Sequence, residues 1–180
     1  MEKVRVLIAD DNRNIAENIQ KIILQKDKFE ILGIANDGEE EYTMITNLNP
    51  EIVFTDNQMP KMNGIDVIKK VHESDLESKP KFVMITSDAN KFLYQECAEL
   101  DIISVVAKPI SIERINLILD DIIEMKEEPL IKNNTSSYTK DSFFTKIIRI
   151  FKGGKHEWWI LTHGTKDIKK GDYKYQGTSR

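Results

Sequence analysis

Residues 52–64 read IVFTDNQMPKMNG. An apolar run of strand length, Ile52–Thr55, ends on Asp56, and a polar segment containing Pro60 and Gly64 follows. A strand that is apolar almost throughout is buried on both faces, the habit of parallel sheets covered by helices. In such sheets ligands bind beyond the carboxyl ends of the strands, where the strand order reverses. Asp56 therefore stands at the edge where chemistry is expected.

The pattern repeats on both sides of this stretch. Apolar runs recur at Val4–Ala9, Phe29–Ala35, Phe82–Ile85 and Ile102–Ala107, with Arg5 and Ser104 as interruptions. Helical patterns lie between and after them, near 12–26, 38–47, 64–74, 90–100 and 111–126. In the last, Ile112, Ile115, Ile118, Leu119, Ile122 and Ile123 form one apolar stripe, with Ser111 placed to cap it. Ile15, Ile19, Ile22 and Ile23 do the same in the first. Five strand–helix repeats predict an α/β fold, a doubly wound five-stranded parallel sheet with helices on both faces. A short C-terminal extension follows it.

The chain has 180 residues, room for one packed domain and an appendage. Its charge is uneven: residues 1–128 sum to −11 and residues 129–180 to +7. Cys97 is the single cysteine, which excludes an internal disulfide or a cysteine metal cluster. His72, His156 and His163 lack metal-ligand spacing. No run is long enough to span a membrane and nothing before Val4 reads as a signal peptide, so a cytoplasmic address is expected.

Polar residues cluster at the ends of the runs. Asp10 and Asp11 follow the first, Asp56 the third, Thr86 the fourth and Lys108 the fifth. The fold would gather them at one edge. Three carboxylates brought together repel one another unless a cation joins them, and a hard divalent ion such as Mg²⁺ suits oxygen ligands. Aspartate can accept a phosphoryl group as an acyl phosphate, with Mg²⁺ and Lys108 offsetting charge on the transferring oxygens. The plainer reading is that Asp10 and Asp11 only cap the first helix.

The acidic pair in LIADDN, the segment DNQMPKMNG, the hydroxyl in ITSD and the AKP triplet together resemble the receiver domain of two-component response regulators, over residues 3–126. The resemblance implies a flavodoxin-like fold with strand order 2-1-3-4-5. It also implies that Asp56 accepts phosphate from a sensor histidine kinase or a phosphotransfer protein. Asp10, Asp11, Asp56 and the backbone carbonyl of Gln58 would hold Mg²⁺. Thr86 would offer its hydroxyl to a phosphate oxygen, Ser87 would leave room beside it, and Lys108 would pair with it, before a cis Lys108–Pro109 bond. Such a domain catalyses only its own phosphorylation and dephosphorylation, and is not an enzyme in the usual sense. One position departs from the family: three residues before the lysine, where Tyr or Phe is usual, stands Val105.

The expected organisation is a receiver domain at 1–126, a linker at 127–141 and a basic tail at 142–180. Phe143, Phe144, Ile147, Ile148 and Phe151 share a face of a predicted amphipathic helix over 142–151, which Gly153-Gly154 ends. EWWILT at 157–162 reads as a short strand or an aromatic anchor, and the polar segment after His163 as disordered. The tail suits a protein partner, with nucleic acid not favoured, and the outer side of the 112–123 stripe suits a homodimer. Two other readings are a DNA-binding transcription regulator with a reduced effector region, and a non-switching receiver-like scaffold.

Overall fold

Each apolar run becomes a strand. In the computed structural model, which describes residues 2–100, 102–127, 146–152, 155–161 and 169–171, the first ten elements alternate strictly. They are β1 (Val4–Ala9), α1 (Arg13–Ile23), β2 (Phe29–Ala35), α2 (Gly38–Leu48), β3 (Ile52–Asp56), α3 (Gly64–Glu73), β4 (Lys81–Thr86), α4 (Lys91–Glu99), β5 (Ile102–Ala107) and α5 (Ile112–Glu127). The five strands pair in parallel in the order 2-1-3-4-5. The doubly wound, flavodoxin-like fold is as expected.

Alternating side chains divide the core between the two faces of the sheet. Val6, Ile8, Phe54, Val83, Ile85 and Val106 pack with Ala16, Ile19 and Ile23 of α1 and Ile115, Ile118, Leu119 and Ile122 of α5. Leu7, Val53, Phe82, Met84 and Val105 meet Ile45 of α2, Ile65, Ile68 and Val71 of α3, and Leu93 and Cys97 of α4. Truncating such a buried aliphatic side chain to Ala costs about 2–5 kcal/mol. This double layer holds the carboxyl ends of β1, β3, β4 and β5 side by side, with little freedom to shift.

Asparagine caps three of these five helices, α1, α3 and α4. Asn12 accepts from the amides of Asn14 and Ile15, Asn63 from Asp66, and Asn90 from Phe92 and Leu93. The capping of α1 thus falls to Asn12, leaving the Asp11 and Asp10 carboxylates for another role. Ser111 Oγ accepts from the Arg114 amide at 3.3 Å, as its position suggested.

Beyond α5 the structure corrects two expectations. Lys146–Lys152 is a strand, β6, where a helix over 142–151 is predicted; residues 142–145 lie outside the described residues. It pairs in parallel with β5, Val105 opposite Ile150, and antiparallel with β7 (Lys155–Leu161). Ile147, Ile148 and Ile150 are β-branched and favour strands, and a short apolar run fits either period. The open edge of β5 supplies the missing hydrogen-bond partners. Lys169–Gly171, in the segment expected to be disordered, forms β8 against β7. The sheet therefore reaches eight strands rather than five, in the order 2-1-3-4-5-6-7-8. For the segment 157–162, residues 157–161 lie in β7, the strand option, and residue 162 lies outside the described residues. Glu127, placed in the linker, is the last residue of α5, and 128–141 lie outside the described residues. Among the described residues after Glu127 there is no helix, and among those described no helix is long and apolar enough to cross a membrane.

Candidate functional site: an acidic pocket bridged by lysine

Asp10 leaves the end of β1 still tied to the sheet, its amide donating to the Ala35 carbonyl at 3.1 Å. Its Oδ1 accepts from the Asn12 amide at 2.9 Å, which turns the chain into α1. Asp56 ends β3, and its Oδ1 accepts from the Gln58 amide at 3.1 Å. Asp10 and Asp56 are buried, whereas the Asp11 side chain is exposed. Carboxylate oxygens of Asp10, Asp11 and Asp56 all lie within 4.8 Å of one another.

Lys108 follows β5 and reaches across this cluster. Its Nζ lies 2.6 Å from Asp56 Oδ2 and 2.9 Å from Asp10 Oδ2. Its amide donates to the Thr86 carbonyl at 2.8 Å, so the ends of β4 and β5 are locked together. The Lys108–Pro109 bond is cis. Burial pushes the Asp10 carboxyl above its ordinary range, although the Lys108 and Asn12 hydrogen bonds pull the other way. For Lys108, burial favours the neutral amine, but the bonds to Asp56 and Asp10 outweigh it and raise its pKa. The ammonium form is therefore secure.

Three carboxylates against one ammonium leave a surplus of two negative charges. An oxygen-only donor set with that surplus, open to solvent at Asp11, suits a hard divalent cation that keeps some waters, as Mg²⁺ does. Geometry and charge fit together here.

Thr86 is fully buried at the end of β4, and its Oγ1 accepts from the Asp88 amide at 3.1 Å. The loop after Asp56 is closed by Asn57, whose amide donates to the Ile85 carbonyl at 3.2 Å and whose Oδ1 accepts from the Ile65 amide at 3.2 Å. Lys61 in that loop has φ 65° and its Nζ lies 2.7 Å from Asp37 Oδ2. Gly64 then starts α3 so close to β3 that only a hydrogen fits in place of a Cβ. Val105 is wholly buried on the α4 side of β5.

Each of Asp10, Asp11, Asp56, Thr86 and Lys108 thus stands at the carboxyl edge of the sheet. Sequence reading missed Glu41, a fully buried carboxyl on α2 bonded to Thr55. The signal was present: Glu41 and Ile45 are one helical turn apart, so one residue of the Glu39–Glu41 run shares the buried stripe.

A doubly wound parallel sheet with a lysine-bridged carboxylate cluster at its carboxyl edge defines the CheY-like class of α/β proteins. The response regulator receiver domain family matches residues 6–120, and the chain belongs to it. A probable chemotaxis protein CheY of Rhizobium etli is 31% identical over 124 residues, covering 66% of this chain and 92% of the relative. A protein-glutamate methylesterase/protein-glutamine glutaminase of Methanococcus maripaludis is 32% identical over 91 residues, 51% of this chain. The chain spans 24% of that relative's length. Among solved structures, CheY of Borrelia burgdorferi in its complex with CheX, BeF3 and Mg²⁺ superposes with a TM-score of 0.61 at 26% identity. That match covers 68% of this chain and 90% of the other.

Proposed function

We propose that this receiver is a phosphorylation switch in which Asp56 accepts a phosphoryl group from the phosphohistidine of a sensor kinase or phosphotransfer protein. The observation that carries the reading is the position of Lys108 Nζ, in contact with both Asp56 and Asp10. An Asp56 oxygen forms the new bond to phosphorus as the phosphorus–nitrogen bond breaks, and the imidazole keeps that electron pair. Lys108 is placed to follow the new charge, leaving Asp10 for a phosphate oxygen. Thr86 supplies a hydroxyl to another of those oxygens, and Ser87 leaves space for the group.

Asp10, Asp11, Asp56 and the backbone carbonyl of Gln58 are the residues that would hold Mg²⁺. Bound there, the ion supplies positive charge that offsets the carboxylates and the transferring oxygens. The Borrelia complex, which contains a CheY with BeF3 and Mg²⁺, supports this reading by likeness. The chain's own catalysis is confined to gaining and losing this phosphoryl group. Phosphorylation then shifts a balance between two conformations and alters partner binding. The basic segment after residue 128 is the element through which a protein partner is engaged.

With a small phosphodonor and Mg²⁺, intact mass should rise by one phosphoryl group, and Asp56→Asn should remove the gain. Equal labelling of both proteins would defeat the assignment.

A further inference from the structure

Glu41 is an ionisable group that the chemistry above does not use. Its side chain has no solvent exposure, and its Oε2 lies 3.0 Å from Thr55 Oγ1. Its other oxygen, Oε1, has no hydrogen-bond partner. Burial pushes the Glu41 carboxyl up to about 8, with the Thr55 bond opposing. An ionised carboxylate with one orphaned oxygen costs far more in the interior than the bare carbonyl of a neutral acid. Glu41 is therefore a carboxylic acid at neutral pH, able to donate as well as accept.

Thr55 Oγ1 has a second neighbour, the backbone oxygen of Asp56 at 3.3 Å. A hydroxyl carries one proton, so Thr55 can give a full, well-aligned bond to only one of the two oxygens, and donating to both leaves each bond weak. When neutral Glu41 donates to Oγ1, the Thr55 proton is released to the Asp56 carbonyl. When Glu41 is ionised it can only accept, and it takes that proton away. The protonation of Glu41 thus sets the direction of a chain running Glu41–Thr55–Asp56. The chain has little slack, because a Cβ at Gly64 would meet Asp56 O at 2.5 Å and Thr55 Oγ1 at 2.9 Å.

Charged groups on the elements around α2 are engaged away from this carboxyl. Arg5 of β1 reaches the Leu48 carbonyl, and Glu30 of β2 is exposed. On α3, Asp66 takes Asn63, Lys69 pairs with Glu96, and Lys70 lies 4.1 Å over the Tyr42 ring. On α2 itself Glu40 accepts from Asn36, and Glu39 lies 3.9 Å from Lys61.

We propose that Glu41 is a positioning residue for Asp56: it donates to Thr55, and Thr55 in turn holds the backbone carbonyl of the phosphoacceptor. The inference rests on the receiver reading above. Ionisation of Glu41 would reverse the chain and loosen the end of β3 behind the reacting carboxylate.

The test uses the full chain, with and without substitutions, over pH 6.5–9.5. The Asn57 amide shares its peptide group with the Asp56 carbonyl, so its NMR shift reports that hydrogen bond without any phosphodonor. In wild type it should move with the ¹³C titration of the Glu41 carboxyl. In Glu41→Gln, whose amide still donates, it should stay flat. In Thr55→Val the Glu41 carboxyl should titrate without moving it. Phosphorylation by acetyl phosphate and Mg²⁺ should slow above pH 8 in wild type but not in Glu41→Gln, while Glu41→Ala slows about tenfold at every pH. Equal pH profiles in wild type and Glu41→Gln, by both readouts, would overturn the proposal. A wild type that takes up no phosphoryl group at any pH overturns the receiver reading instead, and the Asn57 shift alone still decides the chain.

Discussion

Gly64 stands so close behind Asp56 that a Cβ at position 64 would come within 2.5 Å of the Asp56 backbone oxygen. The neighbouring atom is backbone at the end of a central strand, so it has little room to yield. Gly64→Ala should destabilise the fold by about 1–3 kcal/mol, as overpacking does. It should also slow phosphoryl acceptance, because the strain falls on Asp56. Chemical denaturation and a phosphodonor assay on the same protein would check both. A stable but fully reactive variant would separate the close approach from the chemistry.

Removing Lys108 should expose what its ammonium holds together. Asp10 and Asp56 are buried, and Lys108→Ala leaves them without their shared cation. Breaking a buried pair by deleting one partner costs about 3–5 kcal/mol. Mg²⁺ should recover much of that stability through mass action, since it would restore positive charge. Thermal unfolding with and without Mg²⁺ reads this. Phosphorylation should stay poor even with the ion present.

Stability should fall as pH rises from about 4.5 to about 8, through Glu41. In the unfolded chain its carboxyl ionises at the ordinary value of 4.5, while in the fold burial holds it protonated to about 8. Across that window the folded state binds the extra proton, so raising the pH favours unfolding. The full loss is on the order of 5 kcal/mol. Urea titrations of wild type and Glu41→Gln at both ends of the window isolate this group, because other ionisations cancel in the comparison. Parallel stability curves would refute it.

Much of the site was legible because its chemistry needs polar groups where burial forbids them. Asp10, Asp56 and Lys108 each end an apolar run, and a parallel sheet brings such ends together. Glu41 escaped notice because a run of three glutamates on a helix looks solvated, although its place one turn before Ile45 puts it on the buried stripe. The segment IIRIF misled for another reason. Its apolar spacing fits a helical stripe as well as a strand; its β-branched residues lean to a strand, and the open β5 edge, invisible to local pattern, favours it further.

That edge carries its own prediction. β6 lies on β5, Ser104 opposite Arg149 and Val106 opposite Phe151. In a truncation ending at residue 128, the outer amides of β5 should lose their protection from hydrogen exchange. The exposed edge should also promote concentration-dependent self-association. Unchanged β5 protection would show that the pairing contributes no stability.

Val105 bears on how the switch is read out. It is fully buried and carries no ring to swing when Thr86 moves. A phosphoryl mimic should therefore shift backbone NMR signals near Thr86 and Lys108 while leaving most of α4 and β5 in place. Large shifts throughout α4 and β5 would contradict that.

The central claim is that Asp56 carries the phosphoryl group. Borohydride reduces an aspartyl phosphate to homoserine, which marks the residue permanently for peptide mass mapping. After treatment with phosphodonor and Mg²⁺, the account predicts homoserine at position 56 alone, and none when Mg²⁺ is chelated. Homoserine at another aspartate, or none at position 56 with Mg²⁺ present, would contradict it.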